Sequence, residues 1–477
     1  MYRITGLFLI LSLILIQHFG CKRSTSPPNP NMPPNTTLSN LPVPNDTLFP
    51  LVQITWDGGD DDGYIVGCEY RYFTEHLYKG DTAFFDWVRT EKQIIDIIFE
   101  SSDVLNRQHL FVRAIDNDGA VDPTPAELVI YTPQTVLPVS TILFPQDGNE
   151  FFYLENTTDW WEGVQLIYSA YDEDGEVVEY GWSIDNHDWT WTQDTALFIT
   201  PDMFEPPLEG LHTIRVTAKD NTNLFDPQGE EITIRLVKPQ WTNNVLLIDE
   251  TDEQAFPVTV KDSDAKVDSV FNAIFQPDTS WDVLNDGMPP KSVLGRYKLI
   301  VWMADNPTSL GPHLLPQYAD ILKDYLNVGG NLIVSGWGVI KSFAYDENFP
   351  KTFTEGSFMR DYLHINIADE SPFFPGDFTG AVGVNGFSNV TVDGERIWSF
   401  PYVKKLSSVT VVKELGGFTE PIFIYTGENP NYVGETCGIR YFGTDFNVIV
   451  LGFPIYFLKD ADRQQLAQEL LQGIQYE

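Results

Sequence analysis

Two stretches decide how this chain is read, and each is a copy of the other. The first runs Ile54-Thr55-Trp56, Asp60-Asp61-Asp62-Gly63, Tyr64-Ile65-Val66 and Glu69-Tyr70-Arg71-Tyr72. The second runs Ile167-Tyr168-Ser169-Ala170-Tyr171, Asp172-Glu173-Asp174-Gly175, Glu176-Val177-Val178 and Tyr180-Gly181-Trp182. Both close alike. His109-Leu110-Phe111-Val112-Arg113-Ala114 leads to Asp116-Asn117 and Asp122-Pro123, and His212-Thr213-Ile214-Arg215-Val216-Thr217-Ala218 leads to Asp220-Asn221 and Asp226-Pro227. In each copy the second Asp follows the first by six positions. Self-similarity of this kind marks a repeated structural unit.

The physics of the repeat is β. Leu110, Val112 and Ala114, like Ile214, Val216 and Ala218, alternate with polar residues and place one face inward with period two. Asp-Gly pairs punctuate the runs as turns. Several short strands in roughly 85–100 residues is the size of a two-sheet sandwich. The pattern resembles the fibronectin type III and related Ig-like modules of bacterial surface proteins, over residues 51–134 and 135–239. Without a Cys…Trp…Cys spacing the antibody subtype is excluded. The resemblance implies spacer or adhesive units.

Two features of the modules carry potential chemistry. Asp57, Asp60, Asp61 and Asp62 in the first turn, and Asp172, Glu173 and Asp174 in the second, offer hard oxygen ligands of the kind calcium prefers. Asp60, Asp62, Asp172 and Asp174 are the candidate ligands. The EF-hand spacing is absent and such turns are common without metal, so the expectation is a plain solvated turn and no cofactor, with Ca2+ as the alternative. The second module also gathers Trp160, Trp161, Trp182, Trp189 and Trp191. These indoles fill a sandwich core or, for Trp189 and Trp191 on one strand face, form a platform for sugars or peptides.

From Trp241 onward the period changes. Val245-Leu246-Leu247-Ile248 is a continuous apolar strand ending in Asp249-Glu250, and Lys298-Leu299-Ile300-Val301-Trp302-Met303 is another, ending in Ala304-Asp305-Asn306. A helix between them has Ser263 as N-cap and an apolar stripe at Val267, Val270, Phe271 and Ile274. A second helix over 314–328 stops at Gly329-Gly330 and feeds Leu332-Ile333-Val334-Ser335, then Gly336-Trp337-Gly338. Phe446-Asn447-Val448-Ile449-Val450-Leu451 returns to the sheet, and a last helix covers 460–474. Residues 345–435 are poorly periodic and read as an irregular insertion. Strands alternating with helices imply βαβ units, a parallel sheet and a crevice at the strands' carboxyl ends.

The layout of 243–340 and 440–475 resembles the class I glutamine amidotransferase-like fold, a flavodoxin-like α/β architecture that includes non-amidotransferase relatives such as the ThuA-like proteins. In that family a Cys occupies the elbow after the strand that here is Leu332–Ser335, and a later strand ends in a segment supplying a His base. This chain has Trp337 at the elbow and Phe453-Pro454-Ile455 at the later point. The resemblance therefore implies the fold without its catalytic triad. The crevice candidates are Asp249, Glu250, Asp305, Asn306 and Trp337, a set of acceptors with one large apolar face. It suits holding a sugar or an amine better than cleaving a bond.

Other chemistries are missing from the sequence. It contains no HExxH, GxSxG or P-loop. His76, His109, His187, His212, His313 and His364 show no metal-ligand spacing and read as structural or surface residues. Cys68 and Cys437 read as buried core thiols, Cys437 being a weak nucleophile candidate with no nearby His. In the insertion, Asp346, Glu347, Glu355, Asp361, Asp369, Glu370 and Asp377 are either solvated loop charges or the source of a paired-carboxylate hydrolase site.

The N-terminus speaks to location. Arg3 precedes an apolar run from Ile4 to Ile16, too short for a spanning helix, and Gly20-Cys21 resembles a bacterial lipoprotein signal. Residues 1–20 read as a signal peptide, Cys21 as the lipidated residue, and the Pro-rich 21–50 as a tether. The chain is thus expected to cross the inner membrane and remain in the cell envelope, at the outer membrane or cell surface. With 29 Lys plus Arg against 68 Asp plus Glu, the net charge of the 477 residues is −39. Such a surface repels phosphate backbones and excludes nucleic acid as a partner. The expected partners are the membrane, through the lipid, and a polysaccharide or surface protein. The expected role is non-catalytic binding, adhesion or envelope assembly; the alternative is an extracellular hydrolase acting on glycan or peptide.

Overall fold

The computed structural model describes residues 30–39, 51–75, 86–99, 105–132, 136–158, 160–221, 224–226, 228–255, 262–306, 312–397 and 404–474. The signal segment, Cys21 and most of the expected tether lie outside the described residues.

Each copy of the repeat is a two-sheet sandwich. In the first, strands Asn35–Ser39, Leu51–Gly59 and Ile94–Ile98 form one antiparallel sheet. The other sheet holds Val88–Thr90, Ile65–Thr74, Asn106–Asp116 and Ala126–Thr132. Ile54, Trp56, Cys68, Leu110, Val112, Ala114 and Ile130 meet between the sheets. The second sandwich has Ala196–Ile199, Val164–Tyr171 and Val139–Phe144 on one side. Thr190–Thr192, Val177–Ile184, Gly210–Asp220, Glu230–Val237 and Glu150–Phe152 form the other. Its core includes Leu166, Tyr168, Ile184, Ile214, Val216 and Ile234, the inward phase of the alternation read from sequence.

The tether expectation needs correction at one place. Residues 35–39 pair in register with 55–59, and Thr36 donates its backbone N–H to buried Asp122 at 2.7 Å. Asn35-Thr36-Thr37-Leu38-Ser39 is a polar strand with a single large apolar residue, so its composition resembles linker while its backbone closes the sheet.

The third region is organised by a nine-stranded sheet. Strands Thr279–Asp282, Asn243–Asp249, Tyr297–Ala304, Asn331–Gly336 and Asn447–Leu451 lie side by side, all parallel. The sheet continues antiparallel through Thr436–Phe442, Thr419–Thr426, Gly380–Gly383 and Val390–Thr391. Helices Asp264–Phe275 and Asp460–Gly473 pack together, and Ala319–Asn327 belongs to a second buried cluster. Ser263 is the N-cap residue of its helix, but its hydroxyl makes no cap hydrogen bond. No described helix is long and apolar enough to cross a membrane.

The 345–435 stretch is not simply irregular loop. It supplies three strands of the large sheet and a separate small sheet of Lys351–Thr352, Ile365–Glu370 and Thr410–Glu414. Bulges around Pro421 and Phe423 shift the register of Thr419–Thr426, which erases the period-two pattern a sequence reading depends on.

Candidate functional site

The carboxyl ends of the parallel strands bring all five crevice candidates into one neighbourhood, but most serve as internal framework. Glu250 is 3% exposed. It accepts the indole N–H of Trp302 at 2.7 Å and the backbone N–H of Leu314. His313 Nδ1 stands 3.2 Å from the same carboxylate, and His313 Nε2 stands 2.9 Å from the Trp337 carbonyl. Both ring nitrogens thus face acceptors, which an imidazolium satisfies with two N–H groups. Burial pulls the His313 pKa down, yet the Glu250 hydrogen bond and charge outweigh it, so the net shift is upward.

Asp305 is fully buried. It accepts the Ser335 hydroxyl at 3.1 Å and the Tyr456 backbone N–H at 2.7 Å. Burial pushes its carboxyl up to about 7 against the pull of those bonds. Asn306 accepts the Asp252 backbone N–H at 2.9 Å and orders the loop after the first strand. Trp337 is half-buried. Its indole donates to the Ser407 carbonyl at 2.9 Å and meets Phe457 edge-on, with centroids 5.2 Å apart. The strand leading to it requires Gly336, because a Cβ there would stand 2.8 Å from the Ala304 carbonyl oxygen. Trp337 therefore packs against its neighbours rather than standing bare in a crevice.

Beside them stands a half-buried carboxylate group that the sequence only half disclosed. Oxygens of Asp249, Asp264 and Asp268 all lie within 4.8 Å of one another. Asp249 closes the first strand, while Asp264 and Asp268 are one helical turn apart on the following helix and share a face. That i, i+4 spacing was the available signal. Thr251 ties the group together, donating to Asp249 from its backbone at 2.8 Å and from its hydroxyl at 2.7 Å. Burial, with Asp268 adding like charge, lifts Asp249 to about 7. The cluster offers hard acceptors for a cation, an ammonium or hydroxyl groups.

Ser335, Cys437 and Cys68 are all closed off as nucleophiles. The Ser335 hydroxyl is committed to Asp305. Cys437 is fully buried in Thr436–Phe442, and burial holds its thiol well above the ordinary value. Cys68 is likewise buried, its thiol pushed up to about 12.

The insertion's carboxylates are spread out. Asp346, Glu347, Glu355 and Asp361 are exposed, and Asp377 is buried, accepting the backbone N–H groups of Glu428 and Asn429. Asp369 and Glu370 end the Ile365–Glu370 strand, and burial raises Glu370 to about 7. A cavity of 250 Å³ nearby is lined by Asp369, Lys413, Asn431 and Glu435 among others.

In the modules, Trp161 is buried, and Trp182 packs against the core. Trp189 and Trp191 do not fill the core. They lie on the outer face, covered by Arg215 and Lys219 at 4.8 and 4.2 Å from the ring centroids. Asp62 and Asp174 each accept, with both oxygens, a backbone N–H from the segment entering the module, Met32 and Val136 respectively. Asp60 and Asp172 differ from the expected solvated carboxylates: one oxygen of each is buried.

No protein-family model matches the chain, and no curated protein matches it. Among solved structures it is similar to fibronectin type III and Ig-like domains. The fibronectin(III)-like modules of Clostridium thermocellum CbhA match at 14% identity and a TM-score of 0.21, over 43% of this chain and 95% of theirs. The chicken CNTN1 FN1-FN3 domains match at 16% and 0.19, over 43% of this chain and 65% of theirs. The extracellular domain of the hybrid two-component system BT4673 from B. thetaiotaomicron matches at 12% and 0.15, over 27% and 18%. Likenesses this slight say nothing about activity.

Proposed function

We propose that this chain is a non-catalytic binding protein of the bacterial cell surface, held in the envelope by lipid on Cys21. Two sandwich modules in series act as spacers, residues 51–134 and 135–239 in the sequence division, and residues 240–477 form the binding head. The parallel strands of the head run 2-1-3-4-5, the flavodoxin-like order, which supports a relationship to the triad-less glutamine amidotransferase-like class. The observation carrying the reading is that, among the described residues, Ser335 and His313 at the crevice are buried and hydrogen-bonded, and Cys437 is buried in its strand. Beside them is a half-buried carboxylate cluster. Asp249, Asp264 and Asp268 with Thr251 suit an amine or a hydroxyl-rich group such as a sugar. The test is calorimetric binding of the full-length mature chain to envelope polysaccharides and amino-sugar polymers. Asp249→Asn and Asp268→Asn are expected to weaken binding about tenfold each, the order of one charged hydrogen bond. A ligand that maps wholly to the modules, or that is cleaved, overturns the reading.

One observation favours the hydrolase alternative. Burial raises Glu370 to about 7, which makes it a carboxyl able to hand over a proton near neutral pH, as the general acid of glycoside hydrolysis does. Glycan turnover abolished by Glu370→Gln would establish it.

A further inference from the structure

The acidic turns are built the same way in both modules. In the first, Asn117 donates its backbone N–H to the Tyr64 carbonyl at 3.0 Å, and Tyr64 returns its N–H to Asn117 Oδ1 at 2.8 Å. In the second, Asn221 and Glu176 make the same exchange at 2.9 and 3.4 Å. This reciprocal clasp brings the Asp-Asn pair at the end of one strand onto the Asp-x-Asp-Gly turn at the end of another.

The clasp leaves a buried oxygen unused. Asp172 is 8% exposed; its Oδ1 accepts the N–H groups of Asp174 and Gly175, both at 3.1 Å. Its Oδ2 is buried and has no hydrogen-bond donor among the described residues. That oxygen points at the clasp: a Cβ placed on Gly175 would stand 2.9 Å from it and 2.6 Å from Asn221 Oδ1. The Asp172 carboxyl is also within hydrogen-bond reach of the Asp174 carboxyl, with Asp220 adding negative charge. The first module repeats the arrangement. Asp60 Oδ2 is buried without a donor, and a Cβ on Gly63 would lie 2.5 Å from it and 2.3 Å from Asn117 Oδ1. Asp62 and Asp116 are the charged neighbours there. No Lys or Arg pairs with Asp60 or Asp172 among the described residues.

A carboxylate oxygen held from water, against a second carboxylate and without a donor, is unfavourable unless a shared proton or a cation completes it. We propose that each clasp is a calcium site, formed by Asp172, Asp174 and Asn221 in the second module and by Asp60, Asp62 and Asn117 in the first. Two carboxylates and an amide oxygen are hard donors, and an irregular loop suits the flexible coordination of Ca2+ better than the strict octahedron of Mg2+. Asp62 and Asp174 also hold the segments entering their modules, so the ion fastens each module to the chain before it.

The test is isothermal titration of the chelator-stripped full-length chain with CaCl2, alongside thermal unfolding in EDTA and in about 5 mM Ca2+, above the range typical of extracellular modules. Two bound ions and a Ca2+-dependent rise in Tm are expected. Asp60→Asn and Asp172→Asn each remove one ion, and the double variant removes both. In EDTA, Asp172→Asn should melt at or above wild type, because it removes a crowded buried charge, and only in Ca2+ should it melt below. Three results overturn the proposal: no heat with Ca2+, heats unchanged in both variants, or a destabilisation by Asp172→Asn that is the same in EDTA and Ca2+.

Discussion

Nδ1 of His313 stands 3.2 Å from Oε1 of Glu250, and the two side chains are 6% and 3% exposed. The pair joins the end of the first parallel strand to the turn after the fourth, because His313 also reaches the Trp337 carbonyl. Breaking one side of a buried pair leaves the other charge uncompensated, which typically costs about 3–5 kcal/mol. Glu250→Ala should lose about that much in denaturant unfolding, since the Trp302 indole and the Leu314 N–H lose their acceptor as well. Glu250→Gln keeps an acceptor for both and should lose less. A Glu250→Ala chain within about 1 kcal/mol of wild type would contradict a framework role.

Trp337 is expected to behave as a packing residue. Trp337→Phe removes the hydrogen bond to Ser407 while keeping an aromatic ring against Phe457, and should cost about 1 kcal/mol. Trp337→Ala should cost about 3 kcal/mol or more through the lost volume. Ligand binding that falls with Trp337→Ala while unfolding stays unchanged would instead restore it to the crevice.

The sandwiches were legible because their strands alternate cleanly; Ile214, Val216 and Ala218 are all fully buried, as the period requires. The parallel strands were legible as continuous apolar runs. The Thr436–Phe442 strand was not, because Gly438 and Arg440 interrupt its apolar residues, and Asn35–Ser39 was hidden by a polar composition. At the crevice, sequence placed Glu250 and Asp305 at strand ends correctly, but which way a terminal carboxylate turns depends on partners far along the chain. Asp305 is held by Tyr456, and Glu250 by His313 and Leu314. Such long-range partners leave no local pattern.

The second sandwich and the nine-stranded sheet are expected to unfold together. Glu150 accepts the Ser292 backbone N–H at 2.7 Å and its hydroxyl at 2.9 Å, and Phe152 and Val237 share a buried cluster with Leu294 and Tyr297. Glu150→Ala should lower stability by about 2–3 kcal/mol, the range for hydrogen bonds to a charged group. Faster amide exchange across 291–297 would report it. Unchanged exchange there would mean that the contact does not couple the two.

Cys21 is expected to carry the membrane anchor. Cys21→Ala should move the chain from the membrane to the soluble fraction and abolish incorporation of labelled fatty acid. Equal membrane retention of wild type and variant, with no label on either, would remove the lipid from the account.

Asp305 sets a pH dependence whose sign is fixed by its burial. Its carboxyl titrates near 7 in the folded chain and near 4 when unfolded. Below about pH 4 both states hold the proton, and above about pH 7 neither does. Between those values the folded state binds one proton more than the unfolded state, so stability falls as pH rises. The slope from this group is about 1.4 kcal/mol per pH unit. His313 acts in the same direction, since its raised pKa makes its contribution fade as pH climbs through the folded value. Asp305→Asn isolates the carboxyl: the amide oxygen still accepts from Tyr456, but there is no proton to lose. Relative to wild type, the variant should therefore gain stability steadily from pH 4 to pH 7, by about 4 kcal/mol in all. Denaturant unfolding at each pH measures it. A difference between the two chains that stays constant across that window would show that Asp305 is ionised in the fold, and that the Ser335 and Tyr456 bonds outweigh its burial.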